Sequence, residues 1–499
     1  MFKNAITYLI TVIGIIGLPA GALALQEADT VNITHAPALK LINKKDDGFR
    51  GIWYSIGKTN TVYKIKYGGG LGTYPANHYP FSVYVAKVNK TFFCYGGTDK
   101  TGKMLYHEIS YFDHNTGLVA QPTILLDKLT DDAHDNPVIQ VDKQGYIWIF
   151  STSHGIQRPS CISRSIKPYN IDSFKIVPTT KIEDGKKVPL NNFSYLQIHY
   201  SATTGFIGLF THYEVRELKF GKKNCRITAY MTSKDGISWS PWNDLAKIEE
   251  GQYQSSSKWK NRVGTAFNYH PNVKTGAGLD HRTNLYYLYT DDNGKTWRDA
   301  AGRVQQLPLT TIGNQALVRN YAALDSTVYI NDVNFDHRGN PVIMYLTSTG
   351  PEPGPESGPK KWFTARWTGK KWLILPVTIS DNNYDMGSLY IEADGTWRII
   401  APTANGPQAY NTGGEIVAWI SNDRGLSWKM EKQLTVHSAK NQSYPRRPVN
   451  AHPGFYAFWA DGNGREFSTS DFYFSNKAGD VFRLPNHIDA TMGRPILIK

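Results

Sequence analysis

Beyond about position 40 the chain is built from short apolar runs set between turn-forming residues. Gly145-Tyr-Ile-Trp-Ile-Phe150, Gly205-Phe-Ile-Gly-Leu-Phe210, Leu285-Tyr-Tyr-Leu-Tyr289 and Pro341-Val-Ile-Met-Tyr345 are typical. Each has the length and the β-branched or aromatic content of a strand, and Asp, Asn and Gly bound them. No stretch after the N-terminal segment carries an extended helical period. The pattern predicts an all-β protein.

A turn signature recurs between these runs. Ser421-Asn-Asp423-Arg-Gly425-Leu-Ser427-Trp428 fits S-x-D-x-G-x-S/T-W, and Thr290-Asp-Asp292-Asn-Gly294-Lys-Thr296-Trp297 fits with Thr in first place. Ser233-Lys-Asp235-Gly236-Ile-Ser238-Trp239 is one residue shorter, and looser D-x-x-G turns run from Asp142 to Gly145 and from Asp336 to Gly339. The physics is local: Asp accepts from turn N–H groups, Gly takes positive φ, and Trp packs beneath the hairpin. Positions 235, 292 and 336 are 57 and 44 residues apart, about one four-stranded blade each. Residues 41–499 are therefore expected to form a single β-propeller, with a length that suits seven blades of four antiparallel strands. The Gly- and Pro-rich stretch Gly350–Pro359 reads as a long inter-strand loop, because the strand pattern resumes at Trp362.

The first residues follow a different rule. Lys3 precedes an apolar run from Ala5 to Leu18, and Ala22-Leu-Ala24 is a small-x-small cleavage pattern. This predicts a signal peptide over 1–24, a lead-in over 25–40 and a protein secreted or periplasmic. No later stretch is apolar enough to cross a bilayer, so no membrane association is expected after cleavage.

Composition adds a partner class. Formal net charge is +13, and 13% of residues are aromatic, which excludes a disordered chain. Three cysteines, Cys94, Cys161 and Cys225, exclude a disulfide scaffold. A basic exported protein suits an anionic polysaccharide better than nucleic acid, and it is read as a monomer.

No P-loop, HExxH, GxSxG or dinucleotide fingerprint is present. What stands out is His, Tyr and Arg near strand ends. His134 precedes the strand Val138–Val141, and His154 follows Ile147–Ser151; if these strands are antiparallel, both histidines share one rim. Tyr200 precedes and Arg216 follows the strand Gly205–Tyr213, and Tyr253 lies in Gly251-Gln-Tyr-Gln254. Cys225, His270, Asp280 and His281 lie at strand ends of neighbouring blades, and their donor types form a candidate ligand set for a structural zinc. No CxxC or HxxxH spacing accompanies them.

Several blocks carry a family resemblance: Asp47-Gly-Phe-Arg-Gly-Ile-Trp-Tyr54, Lys66-Tyr-Gly-Gly-Gly-Leu-Gly-Thr-Tyr74, Thr91-Phe-Phe-Cys-Tyr-Gly-Gly97, His134-Asp-Asn-Pro-Val-Ile-Gln-Val-Asp142, Arg262–Pro271 and Tyr444-Pro-Arg-Arg-Pro448. Across nearly the whole mature chain the sequence resembles the secreted BNR-repeat propellers that include the ulvan lyases of polysaccharide lyase families twenty-four and twenty-five, closer to the latter. The resemblance implies an endolytic lyase for ulvan, a sulfated rhamnose–uronic acid polymer. It implies catalytic His134, Tyr200 and Arg216, with His154 and Tyr253 binding substrate; Tyr195 is a rival for the tyrosine role. β-Elimination needs a base at C5, an acid at O4 and a cation at the carboxylate, so no cofactor is required for catalysis. Lys64, Lys66, Arg446 and Arg447 are candidate sulfate contacts. Two other readings of the same fold are a sialidase-like glycoside hydrolase and a non-catalytic binder of anionic glycans.

Overall fold

The computed structural model describes residues 39–71, 77–155 and 158–498. The expected signal peptide, and the lead-in up to residue 38, lie outside the described residues. Among them the structure is strand and turn, with helix confined to single 3-10 turns. Seven antiparallel sheets of four or more strands follow one another in chain order, together with two small ones. Most are simple meanders, for example Pro137–Val141, Ile147–Ser151, Cys161–Ser165 and Phe174–Ile176. All belong to the compact unit Pro37–Lys499. Gly350–Pro359 joins two strands, Pro341–Ser348 and Lys360–Trp367, that pair with each other.

The central strands of the large sheets are buried on both faces, which explains why they read as unbroken apolar runs rather than alternating ones. Pro341–Ser348 is buried at every residue. In Gly205–Leu218 the two faces part by alternation: Phe206 and Phe210 pack with Val138, Phe150 and Ile162 of the preceding sheet. Ile207 and Leu209 pack with Phe267, Tyr286 and Leu288 of the following one. The outer strand Trp372–Ser380 is half-exposed along its length.

The Asp turns are built as their residues dictate. Asp292 accepts from Thr296 N (2.9 Å), Thr296 Oγ1 (2.7 Å) and Thr290 Oγ1 (2.8 Å), and Gly294 has φ +86°. Trp239 and Trp297 are each 2% exposed. Gly236, at φ +74°, lies so close to the Trp148 ring of the preceding sheet that a Cβ would stand 2.7 Å from it, so this turn also fixes sheet-to-sheet packing.

The two ends of the described chain meet. Gly51–Ile52 pairs with both Gly97 and Thr469–Ser470, and Val119–Ala120 pairs with Met492–Gly493. The first sheet thus contains strands from both ends of the sequence.

The first strands of six successive sheets are Pro137–Val141, Ser194–Ser201, Gln254–Trp259, Thr327–Phe335, Ser388–Ile391 and Asn441–Arg446. Their N-terminal ends carry one set of side chains and their C-terminal ends another. Two of them are bulged, one at its start between Ser194 and Gln197 and one over its last residues between Ser443 and Arg446. Tyr195 (φ +51°) and Tyr444 (φ +63°) sit in these bulges. Positive φ is rare for a bulky residue, and a bulge re-aims its side chain.

Candidate active site

The N-terminal ends of the first strands gather histidines and tyrosines around one aspartate. Asp132 caps the 3-10 turn Ala133–Asp135, accepting from His134 N at 2.9 Å. The same oxygen accepts from His134 Nδ1 at 2.5 Å, and the other accepts from His154 Nδ1 at 3.2 Å and Arg158 Nη2 at 2.7 Å. The two imidazoles stack, with centroids 4.2 Å apart and planes 12° from parallel. An ionised carboxylate only accepts, so each Nδ1 carries its proton and each Nε2 is the basic nitrogen.

Burial drives His134 down to about 4, with His154 adding to the shift and Asp132 opposing it. His134 is therefore neutral at physiological pH. Burial raises Asp132, but the hydrogen bonds from His134 and His154 outweigh it and hold the carboxyl well below its usual range. Arg158 ties this aspartate to the fully buried Asp135, donating from Nε at 2.8 Å and from Nη2 at 3.1 Å. Lys128 Nζ lies 3.5 Å from Asp135, and His107 Nε2 donates to the Asp135 carbonyl at 2.7 Å.

Tyr195 stands edge-on to both histidines, at 6.0 Å from His134 and 5.9 Å from His154. Tyr54 is 6.0 Å from His134, Tyr213 is 6.2 Å from His154, and Tyr253 is 5.7 Å from Tyr195. Burial pushes Tyr213 up to about 12, against the pull of Arg226. The Arg226 guanidinium lies 5.7 Å from the Tyr213 ring. On the far side of Tyr253, Arg282 lies over Tyr253 (4.9 Å) and Tyr329 (4.6 Å) and donates to the Tyr384 hydroxyl at 3.3 Å.

The structure brings His134, His154 and Tyr253 together, with Tyr195 beside them. It does not bring Tyr200 or Arg216. Tyr200 is at the other end of its strand, about 17 Å from Tyr195 at roughly 3.3 Å per residue. Its ring packs on Phe206 at 4.8 Å, and its hydroxyl accepts from Lys143 N at 3.2 Å. Arg216 does not follow a strand that stops at Tyr213; that strand runs on to Leu218. Three residues from Tyr213, Arg216 falls on the opposite face and donates to the carbonyls of Lys247 and Glu249, each at 3.0 Å. Arg226 pairs directly with Tyr213 across the hairpin and shares its face. Sequence reading did not single this arginine out, and the signal that places it beside the cluster is hairpin register.

The four proposed zinc ligands are likewise not gathered. Cys225 is not at a strand opening but buried within Gly221–Ser233, its thiol toward the Lys223 carbonyl at 3.6 Å. His270 is fully buried against Tyr253 at 4.7 Å, Asp280 pairs with Lys66 at 2.8 Å, and His281 is exposed. Among the described residues, the one group of three or more His, Cys, Asp or Glu with convergent donor atoms is Asp132, His134 and His154. A cation on their inner atoms would displace the two Nδ1 protons and compete with Arg158. Lys66 also pairs with Glu352 at 3.1 Å, and Arg446 is buried, donating to the Asn331 and Gly387 carbonyls.

A family model described as BNR repeat-containing family member matches residues 101–379. An ulvan lyase from Nonlabens ulvanivorans is 24% identical over 333 residues, which is 60% of this chain and 65% of the relative, so the match spans just under two thirds of that protein. A solved PL25 ulvan lyase superposes with TM-score 0.64 at 16% identity, covering 88% of this chain and 96% of the other. That enzyme has also been solved bound to -[GlcA(1-4)Rha3S]-. The polysaccharide lyase Uly1 superposes with TM-score 0.56 at 12% identity over 90% of this chain and 99% of its own. With more than half of its residues inside the family model, the chain belongs to the BNR repeat-containing family.

Proposed function

We propose that the protein is an exported polysaccharide lyase that cleaves ulvan by β-elimination at a uronic acid. The seven large sheets are read as the blades of one propeller, with the reaction at the end where the first strands begin. The observation that carries the reading is the Asp132 pair: one carboxylate fixes two stacked imidazoles with Nε2 basic, facing a tyrosine, with an arginine one residue pair away. The named relative and solved lyases support the substrate class.

In this reading Arg226 binds the uronate carboxylate and stabilises the charge that develops there as C5 is deprotonated. His134 Nε2 takes the C5 proton. The electron pair forms the C4=C5 bond as the C4–O4 bond breaks, and Tyr195 delivers its hydroxyl proton to O4. Proton transfer from the imidazolium back to the phenolate, directly or through solvent, resets both groups. His154 and Tyr253 line the sugar path. The arrangement suits a lyase better than a hydrolase, because Asp132 and Asp135 are both bonded to Arg158 rather than set as an acid–nucleophile pair.

The test is ultraviolet absorbance of the unsaturated uronate on mixing the protein with ulvan, for the natural chain and for Tyr195→Phe. The expected result is a rise that Tyr195→Phe abolishes. New reducing ends without the absorbance would overturn the lyase reading, and full activity of Tyr195→Phe would overturn the acid assignment.

A further inference from the structure

The C-terminal ends of the same strands close around a second, cationic cavity of about 330 Å³, lined by Gln140, His199, Lys258, Lys260, Arg447 and Asn450 among others. It is separated from the histidine pair along Ser194–Ser201: Tyr195 faces one end and His199 the other, about 13 Å apart at roughly 3.3 Å per residue. Gln197, fully buried between them, is held by Gln254 O at 2.8 Å and by Ser256 N and Oγ at 2.5 and 2.6 Å.

Three cations line this cavity and one carboxylate stands by them. Asp332 Oδ2 lies 3.5 Å from Arg447 Nη2, but that carboxylate already accepts from the backbone N–H groups of Val333 (2.9 Å) and Leu389 (2.8 Å). Arg447 Nε is buried without a hydrogen-bond partner, and Nη2 has only the long approach of Asp332. Lys258 Nζ donates once, to Tyr200 O at 2.6 Å, and burial lowers its affinity for a proton. His199 is kept neutral by burial first and by Lys258 second, with Nε2 on Ser256 Oγ at 2.9 Å. A guanidinium with one buried donor unmet, and three cations beside a single carboxylate, leave a site short of negative charge. The volume falls in the range of small-molecule pockets, roughly 300–1,000 Å³.

We propose that this cavity is an oxyanion site that takes a sulfate group, free or carried on a sugar. Lys258 and Lys260 supply charge, and the Arg447 guanidinium supplies directional donors. The site stands apart from the lyase reading; only the sugar-borne source rests on it.

The experiment is calorimetric titration of the full-length protein with sodium sulfate against sodium chloride at matched ionic strength, repeated with rhamnose 3-sulfate and with rhamnose. The variants are Lys258→Met, Lys260→Glu and His134→Ala. Lys260 is exposed, so its replacement leaves the fold intact and keeps the test decisive if Lys258→Met misfolds. The expected result is saturable, sulfate-specific binding, weakened about tenfold or more in either lysine variant and unchanged in His134→Ala. Tighter binding of rhamnose 3-sulfate than of sulfate assigns a sugar-borne ligand; binding of inorganic sulfate alone assigns the free ion. Equal response to chloride, undiminished binding in Lys260→Glu, or loss in His134→Ala would each overturn the proposal. Ulvan cleavage is read separately by absorbance, so failure of one reading does not imply failure of the other.

Discussion

Asp132 does three things with two oxygens: it caps a turn, sets two imidazole tautomers and anchors Arg158. Asparagine is nearly isosteric but offers one acceptor and one donor. In Asp132→Asn one histidine must therefore reverse its tautomer or lose its bond. The expected outcome is a fall in kcat of about 10²-fold or more, with KM little changed, measured by steady-state release of unsaturated product. A second contrast separates two arginines. Arg226→Ala is expected to lower kcat/KM by roughly 10²–10³-fold, whereas Arg216→Ala, which loses two contacts to backbone carbonyls, is expected to stay within about twofold of the natural chain. The same assay reads both, and the reverse order would return the carboxylate role to Arg216. The histidines were legible in the sequence because a short hairpin fixes their rim from strand polarity alone. Arg226 was not, because only the pairing register of the long hairpin sets it opposite Tyr213.

Bulges and hairpin length decided what periodicity alone left open. Tyr195 and Tyr200 both lie in Ser194–Ser201, so composition does not choose between them. The bulge at Ser194/Gln197 and the positive φ of Tyr195 turn its ring toward His134. A tertiary neighbour, not a local propensity, maintains that geometry. The Asp turns are the opposite case: their residues encode the turn completely, and the structure forms them as the motif requires. Their role belongs to stability. Asp292→Ala removes three hydrogen bonds from one turn, and about 1–2 kcal/mol of stability is expected to go with them. The check is the denaturant midpoint, which should fall while the rate on ulvan holds. The zinc set failed at this scale as well, since Cys225 lies inside a long strand and His270 and Asp280 face different neighbours.

For the molecule as a whole, the buried histidines set the response to acid. Burial, with nearby cations or histidines, holds His107 and His270 well below their ordinary value, His134 and His114 near 4 and His199 near 3. In the unfolded chain each titrates near about 6.5. Between these values the unfolded state binds more protons, so stability rises with pH. Their contribution is fully present above about 6.5 and is lost as pH falls toward 4. Glu108 and Asp385 act oppositely, because burial keeps their protons on and their contribution fades as pH rises through their folded values. The expected profile has its maximum near neutrality, with a melting temperature that drops steadily from pH 6.5 to 4.5. A flat profile over that interval would show that these histidines are not buried neutral. The all-β class was legible in the sequence from short apolar runs and recurring Asp turns, and the family from blocks such as Asp47–Tyr54 and His134–Asp142. The cationic cavity was not, because its residues come from separate strands and meet only where the strands converge.

The pairing of Gly51–Ile52 with Thr469–Ser470, and of Val119–Ala120 with Met492–Gly493, bears on the order of folding. The first sheet to leave the ribosome is completed by residues made more than 370 positions later. Contacts of such sequence separation carry a large loop-closure entropy and form late. The middle sheets, each a local meander, have no such wait. The joining of the two ends is therefore the step expected to come last. A chain that cannot finish its first sheet until its last strand is free leaves the edges of that sheet unpaired while it is being made.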